Sequence, residues 1–186
     1  FYPGSLHDWH CPGGLVTFAR QACAILPNAF LLIATPQREE AARILETSGL
    51  PQQQWRCLSL SHEQMPDFLC AADAGILLRE PLPMNKVASP TKFAEYLCAG
   101  LPLAYTSGVQ LIDEIAAQNP IGPSLDYASL SKLPKEAVAG LAGLQRFDRE
   151  NLSRLGHQLF SWKSHLSKVL AMYEPLLSKA RAAQNK

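Results

Sequence analysis

The stretch Ser89-Pro90-Thr91-Lys92-Phe93-Ala94-Glu95-Tyr96-Leu97-Cys98-Ala99-Gly100-Leu101-Pro102 constrains this chain more than any other. It reads as one short helix leading into a buried strand. Ser89 suits an N-cap, and Pro90 suits the first helical position, where a missing N–H costs nothing. Phe93, Leu97 and Leu101 step by four and form an apolar stripe. Gly100 stops the helix, and Leu101 to Tyr105 begins a strand. The free amides at such a helix start attract anions such as phosphate. Lys92, in the first turn, opposes the helix dipole, so it gains more with a bound anion than without one. Glu95 lies one turn further along the face that carries Thr91 and Lys92. This pattern suits a nucleotide, with its diphosphate at the helix tip and its ribose hydroxyls at Glu95.

Short apolar runs alternate with amphipathic stretches along the rest of the chain, which predicts βαβ units and an α/β fold. Strands are expected at Phe1-Tyr2, Phe30 to Ala34, Trp55 to Leu60, Ala74 to Leu78 and Leu103 to Thr106, with a last short one in Pro120 to Ser124. Helices are expected over Gly14 to Leu26, Gln37 to Ser48 and Val109 to Gln118. Ser61-His62-Glu63-Gln64 reads as a capping box opening a helix to Ala72. Arg79 to Ala88 reads as a loop. Beyond Leu130 the chain reads as helical, with segments to Leu144 and from Arg149 to His157. Ser161 caps a final helix from Trp162 to about Ser178, with Ala180 to Lys186 frayed. Residues 1–150 form a Rossmann-like, doubly wound parallel sheet, and residues 151–186 a helical extension. With strand order 3-2-1-4-5-6, the crevice opens between the first and fourth strands, at the loops Gly4 to Trp9 and Arg79 to Ala88.

The 186 residues carry a net charge of +1, which gives no general attraction to nucleic acid or anionic membrane. No apolar run is long enough to cross a bilayer. The five cysteines form no close pair, and Cys23, Cys70 and Cys98 read as small core residues. A disulfide framework or zinc site is not expected, and reducing, cytoplasmic surroundings fit best. The chain begins on Phe1 rather than methionine and reads as a fragment without a signal peptide.

The central motif resembles the donor-site motif of GT-B glycosyltransferases of the large retaining group 1 type. A serine-proline, a lysine, a glutamate-tyrosine-leucine and a glycine-x-proline recur there in this order. Ala72 to Arg79, Asn85 to Ala88, Phe160-Ser161-Trp162 and Tyr173-Glu174 match too, so the resemblance spans Tyr2 to about Leu177. It implies one half of a GT-B fold, whose N-terminal acceptor-binding domain is absent from this chain. It also implies a metal-independent enzyme that takes a glycosyl group from a nucleotide-diphospho-sugar, with no cofactor. The acceptor is a glycan, lipid or small molecule, and peripheral membrane association of the full-length protein is left open. Gly4, Ser89, Pro90, Thr91 and Lys92 are then the diphosphate site and Glu95 the ribose ligand. Lys92 and Arg79 are the groups that act on the leaving diphosphate or sugar.

Each residue also has a plainer reading. Glu95 is then an exposed helix carboxylate, Lys92 a solvated lysine, Gly4 a turn, and Arg79 a salt-bridge partner of Glu80 or Asp73. Lys86 is a secondary candidate, and Asn85 shapes a turn. Ser59 to Glu63 either pack on the base or only cap a helix. Adjacent Asp113 and Glu114 point to different faces and are not an acid/base pair. His157 and His165 are surface residues, and Trp162 anchors the last helix. Two positions depart from the family. His10-Cys11 stands where members often carry lysine-glycine, and Val87 where many carry a sugar-binding glutamate. These departures keep open a non-catalytic nucleotide-sugar-binding module. An epimerase would need further acid/base residues that the sequence does not offer.

Overall fold

A computed structural model describes residues 1–7, 11–26, 28–133 and 135–184, with the backbone alone at 135, 138 and 178–184. His10, which departs from the family together with Cys11, lies outside the described residues. Among the described residues, six short parallel strands alternate with helices. Strands β1 (Tyr2–Pro3), β2 (Leu31–Ala34) and β3 (Trp55–Leu58) pair in the order 1-2-3. Strands β4 (Gly75–Leu77), β5 (Leu103–Thr106) and β6 (Ser124–Leu125) pair in the order 4-5-6. The two triplets meet along β1 and β4, where the Ile76 N–H donates to the Phe1 carbonyl at 3.0 Å. The joined order is the expected 3-2-1-4-5-6, and the chain is an α/β protein with a doubly wound parallel sheet.

Side chains alternate across each strand, so each face feeds its own core. One core holds Tyr2, Ile33, Ile76, Leu78 and Ala104. It is covered by α1 (Pro12–Ile25), α2 (Arg38–Glu46) and α7 (Lys135–Ala142). The other holds Leu77, Leu103 and Tyr105 under α3 (Met65–Ala71), a helix over Thr91–Cys98, α6 (Gln110–Ala116) and α8 (Arg149–Phe160). Phe93, Leu97 and Leu101 are fully buried, as their spacing requires. Gly156 of α8 lies directly on the backbone of the Thr91–Cys98 helix. A Cβ there would run into Leu97 and Cys98 main-chain atoms.

Several expectations need correction. The segment Arg79 to Ala88 contains a one-turn helix, α4 (Pro83–Lys86), started by a proline whose φ is already helical. The helix Thr91–Cys98, α5, begins one residue later than expected. Pro90 occupies the N-cap position in extended conformation, and Ser89 lies outside the helix, exposed. With Pro90 at the N-cap position, Ser89 lies one residue too early to cap the first turn. The Gln64 side chain accepts from the Ser61 N–H at 3.0 Å, half of the expected capping box, but α3 starts only at Met65. Cys70 is exposed rather than core. The final helix, α9 (Trp162–Gln184), runs through Pro175 and past Ser178. Trp162 is 79 % exposed and anchors nothing. Leu166, Leu170 and Tyr173 are each more than half exposed on the same helix.

Tyr96 of α5 ties this helix to the centre of the sheet. Its buried hydroxyl donates to the Ile76 carbonyl at 2.9 Å and lies 3.4 Å from that of Phe1. Gly75 leaves room for the ring; a Cβ at that position would meet it at 2.9 Å. Tyr96→Phe is expected to cost about 1 kcal/mol, the net value of a buried hydrogen bond. Urea unfolding checks this: the midpoint should fall with no change in slope.

Candidate functional site

Three backbone segments converge at the C-terminal ends of β1 and β4: the turn after β1, the segment after β4 and the start of α5. This is the crevice that the strand order dictates. Gly4 continues the ladder through an N–H to the Ala34 carbonyl, 2.8 Å, and then turns at φ +131, a conformation that L side chains rarely adopt. The space its missing Cβ leaves is filled by Lys92: a Cβ on Gly4 would lie 3.0 Å from the ammonium nitrogen.

Lys92 is not the solvated lysine of the plainer reading. It is 8 % exposed, and its Nζ lies 4.0 Å from the centroid of the Tyr2 ring. Burial, with Arg79 adding to the shift and Glu95 opposing it, holds its pKa down to about 7. Among the described residues the structure gives Lys92 no salt bridge; the ion pair it records is the exposed Arg43–Glu39. An ammonium buried without a carboxylate beside it is costly unless something else stabilises its charge.

Arg79 follows β4 and is 8 % exposed. Its backbone is gripped by one side chain. The Thr106 hydroxyl, at the end of β5, accepts from the Arg79 N–H at 2.7 Å and donates to the Arg79 carbonyl at 2.8 Å. Burial lowers the arginine pKa, and Tyr2 opposes that shift. The next turn is braced by Asn85, buried in α4, whose Nδ2 donates to the Glu80 carbonyl at 2.9 Å. Asn85 therefore shapes this loop, while Lys86 and Val87 project into solvent.

The start of α5 carries no side-chain cap. The Phe93 N–H turns back to the Pro90 carbonyl at 3.0 Å, and the earlier amides have no helical acceptor. Pro90 is buried, Ser89 and Thr91 are exposed, and Glu95 is half-buried one turn on. The structure thus brings Gly4, Arg79, Lys92 and the α5 amides together at one crevice, with Glu95 beside them. Ser89 stands at its rim as backbone rather than as cap. Asp113 and Glu114 are elsewhere and separately engaged, Asp113 with the Gly108 N–H and Glu114 with Gln110. His165 bonds to the Leu159 carbonyl, far along the chain from the crevice.

Sequence reasoning missed Tyr2 and Thr106. Both interrupt apolar strand runs with a polar atom at the C-terminal end of a strand, which is where this fold places ligands. Among the described residues, no three His, Cys, Asp or Glu side chains are grouped so as to hold a metal ion. Among the described residues, no helix is long and apolar enough to cross a membrane. A cavity of about 750 Å³ lies at the opposite ends of the strands, walled by Phe1, Phe18, Phe30, Phe68, Ala74 and Leu144. It is mostly apolar and shares no residue with the crevice.

No family model and no curated protein match this sequence. Solved structures match its fold. The glycosyltransferase AviGT4 of avilamycin A biosynthesis aligns over 96 % of this chain and 51 % of its own, with a TM-score of 0.64 and 19 % identity. The pneumococcal O-GlcNAc transferase GtfA, solved with UDP and GlcNAc, aligns over 95 % of this chain and 35 % of its own, at 0.73 and 12 %. The catalytic domain of the cholesterol-α-glucosyltransferase of Helicobacter pylori aligns over 86 % and 99 %, at 0.62 and 9 %. The chain spans about half the length of AviGT4 and about a third of GtfA. At these identities the likeness is one of fold. The chain has the Rossmann-like fold of one half of a GT-B glycosyltransferase.

Proposed function

We propose that this chain is the donor-binding half of a glycosyltransferase, which takes a nucleotide-diphospho-sugar and passes its glycosyl group to an acceptor hydroxyl. The observation that carries this reading is Lys92, a buried ammonium with no carboxylate against it, at the mouth of a doubly wound sheet. A diphosphate supplies the missing negative charge. Lys92, Arg79 and the first amides of α5, near Ser89, Pro90 and Thr91, would hold it, with Gly4 allowing close approach. The same cations would stabilise the charge that grows on the leaving diphosphate as the glycosidic bond breaks. Glu95, one turn along α5, would accept hydrogen bonds from the ribose. The resemblance adds a retaining, metal-independent reaction, and the cysteine usage a cytoplasmic setting. Solved relatives of this fold include one that carries UDP, which fits a nucleotide-sugar as donor. The acceptor would bind to an N-terminal domain outside this chain. The exposed apolar stripe Leu166, Leu170 and Tyr173 of α9 would pack back towards that domain.

A second reading is a binding module without turnover. It is favoured by Val87, 77 % exposed where many members of the resembled family carry a sugar-binding glutamate. Joining the chain to its N-terminal half and assaying glycosyl transfer separates the two. Transfer supports the enzyme, and donor binding without transfer supports the module.

Three outcomes are expected. Lys92→Met should abolish pyrophosphate binding, read by calorimetry, yet raise stability at neutral pH by about 0.5–2 kcal/mol, as removal of a functional strain often does. Loss of both binding and stability would make Lys92 a structural residue.

Glu95→Ala should weaken a nucleoside diphosphate by about 1.5–3 kcal/mol, the range for charged hydrogen bonds. It should weaken inorganic pyrophosphate far less, since pyrophosphate would feel Glu95 only through the charge of Lys92.

The third outcome follows from protonation. Folded Lys92 gives up its proton at about 7 instead of the usual 10.5, so the unfolded chain binds more protons between those values. Stability of the free protein should therefore rise with pH across that window and be lowest below it. An anion favours the charged lysine, so pyrophosphate affinity should fall as pH rises above about 7. Near that midpoint binding should draw a proton from the buffer, and the heat of binding should depend on the buffer used.

A further inference from the structure

We infer that Tyr2 is a positioning residue for the anion site: the face of its ring holds the Lys92 ammonium beneath the Gly4 turn, in place of a carboxylate. The inference rests on the phosphate reading of Lys92.

The geometry gives the reason. Lys92 Nζ lies 4.0 Å from the Tyr2 ring centroid, and a cation over an aromatic face is attracted by the ring quadrupole. A carboxylate in that place would neutralise the charge and occupy its N–H donors. A ring stabilises the charge while leaving those donors for a ligand, because a lysine ammonium has three and the ring takes none as a conventional hydrogen bond. Tyr2 is itself fixed. It is 1 % exposed on β1, and its hydroxyl donates to the Ser5 carbonyl at 3.0 Å, which ties the ring to the turn that follows Gly4.

The other groups around the ammonium fit this role. Arg79 after β4 acts against its charge, and Glu95 on α5, half-buried, acts for it. Tyr96 of α5 is fully buried with its hydroxyl committed to backbone. Burial pushes the Tyr2 phenol up to about 12, with Cys11 adding to the shift and Arg79 opposing it. The phenol therefore stays neutral at any working pH, and Tyr2 acts on Lys92 as a ring rather than as a phenolate counter-ion.

The test compares the wild-type chain with Tyr2→Phe and Tyr2→Leu, using inorganic pyrophosphate as the probe. Calorimetry gives the affinity from about pH 6 to about pH 9, a range that brackets the lysine titration. Carbon-13 NMR on labelled lysine follows the side chain of Lys92, assigned by its absence in Lys92→Met. In the wild type, the Lys92 Hε protons should be shifted upfield by the ring. Tyr2→Phe keeps the ring and should keep both the upfield shift and the affinity profile. Tyr2→Leu should lose the shift, weaken pyrophosphate about fivefold above neutrality, and move the Lys92 titration midpoint down by about half a pH unit or more. Its affinity should approach that of the wild type at the acid end.

An unshifted Hε signal in the wild type overturns the inference, and so does a Tyr2→Leu variant with an unchanged midpoint. Should Tyr2→Leu fail to fold, the wild-type shift and its retention in Tyr2→Phe decide. A wild type that binds no pyrophosphate, but whose Lys92 signal is ring-shifted and moves with Tyr2, defeats the phosphate reading while leaving the ring contact in place.

Discussion

The hydroxyl of Tyr96 reaches the carbonyls of Phe1, just before β1, and of Ile76 in β4, at the seam where the strand order reverses. Everything at the crevice is hung on that contact. It fixes α5 beneath the seam, and α5 in turn presents its uncapped amides, Lys92 and Glu95 on the open side. The seam also depends on Gly75, which leaves space for the ring, and on the Ile76 N–H that joins the two strand triplets. On the far side, Gly156 lets α8 lie against the α5 backbone, and the Ser153 hydroxyl donates to the Cys98 carbonyl at 2.7 Å. A helix of eight residues is too short to be stable alone, so its position must come from these neighbours.

The crevice spends some of the stability that this packing supplies. Phe93, Leu97 and Leu101 are fully removed from water, each contributing roughly 1.5–3 kcal/mol by burial. The same helix carries Lys92 into a position where its charged form is disfavoured. A lysine held at such a cost with no carboxylate partner is a mark of a site rather than of a scaffold. The cavity at the other end of the sheet is walled mainly by aromatic and aliphatic side chains; its polar residues Asn28, Asp73 and Gln145 are exposed, and the buried Phe1 amine there is committed to the Ala74 carbonyl.

Much of this was legible in the sequence. Apolar runs of four to five residues separated by amphipathic stretches placed the strands, and the common doubly wound order supplied their arrangement. The four-residue step of Phe93, Leu97 and Leu101 placed the buried face of α5, and the Gly100 stop is where it was expected, at φ +67. What escaped was set by contacts between distant residues or by proline geometry. The Tyr2 ring and Lys92 are ninety positions apart, and nothing local to either announces the contact. Thr106 grips Arg79 across a strand pair. Ser89 looked like a cap because its residue type is right, but the following proline takes the capping position in extended conformation. Trp162 and Cys70 read as core because they are apolar; both are exposed, since neither lies on a face that meets the sheet.

The central claim is that the anion-binding end of this fold is the one where β1, β4 and α5 converge. Titrating inorganic pyrophosphate and then UDP into nitrogen-15-labelled protein, and following the backbone amides, tests it directly. The account predicts shifts at Gly4, Arg79, Thr91 and Lys92 with either ligand, extending to Glu95 with UDP alone. Shifts confined to Phe30, Ala74 and Leu144, around the cavity at the opposite ends of the strands, or no shift at Lys92 with either ligand, would contradict it.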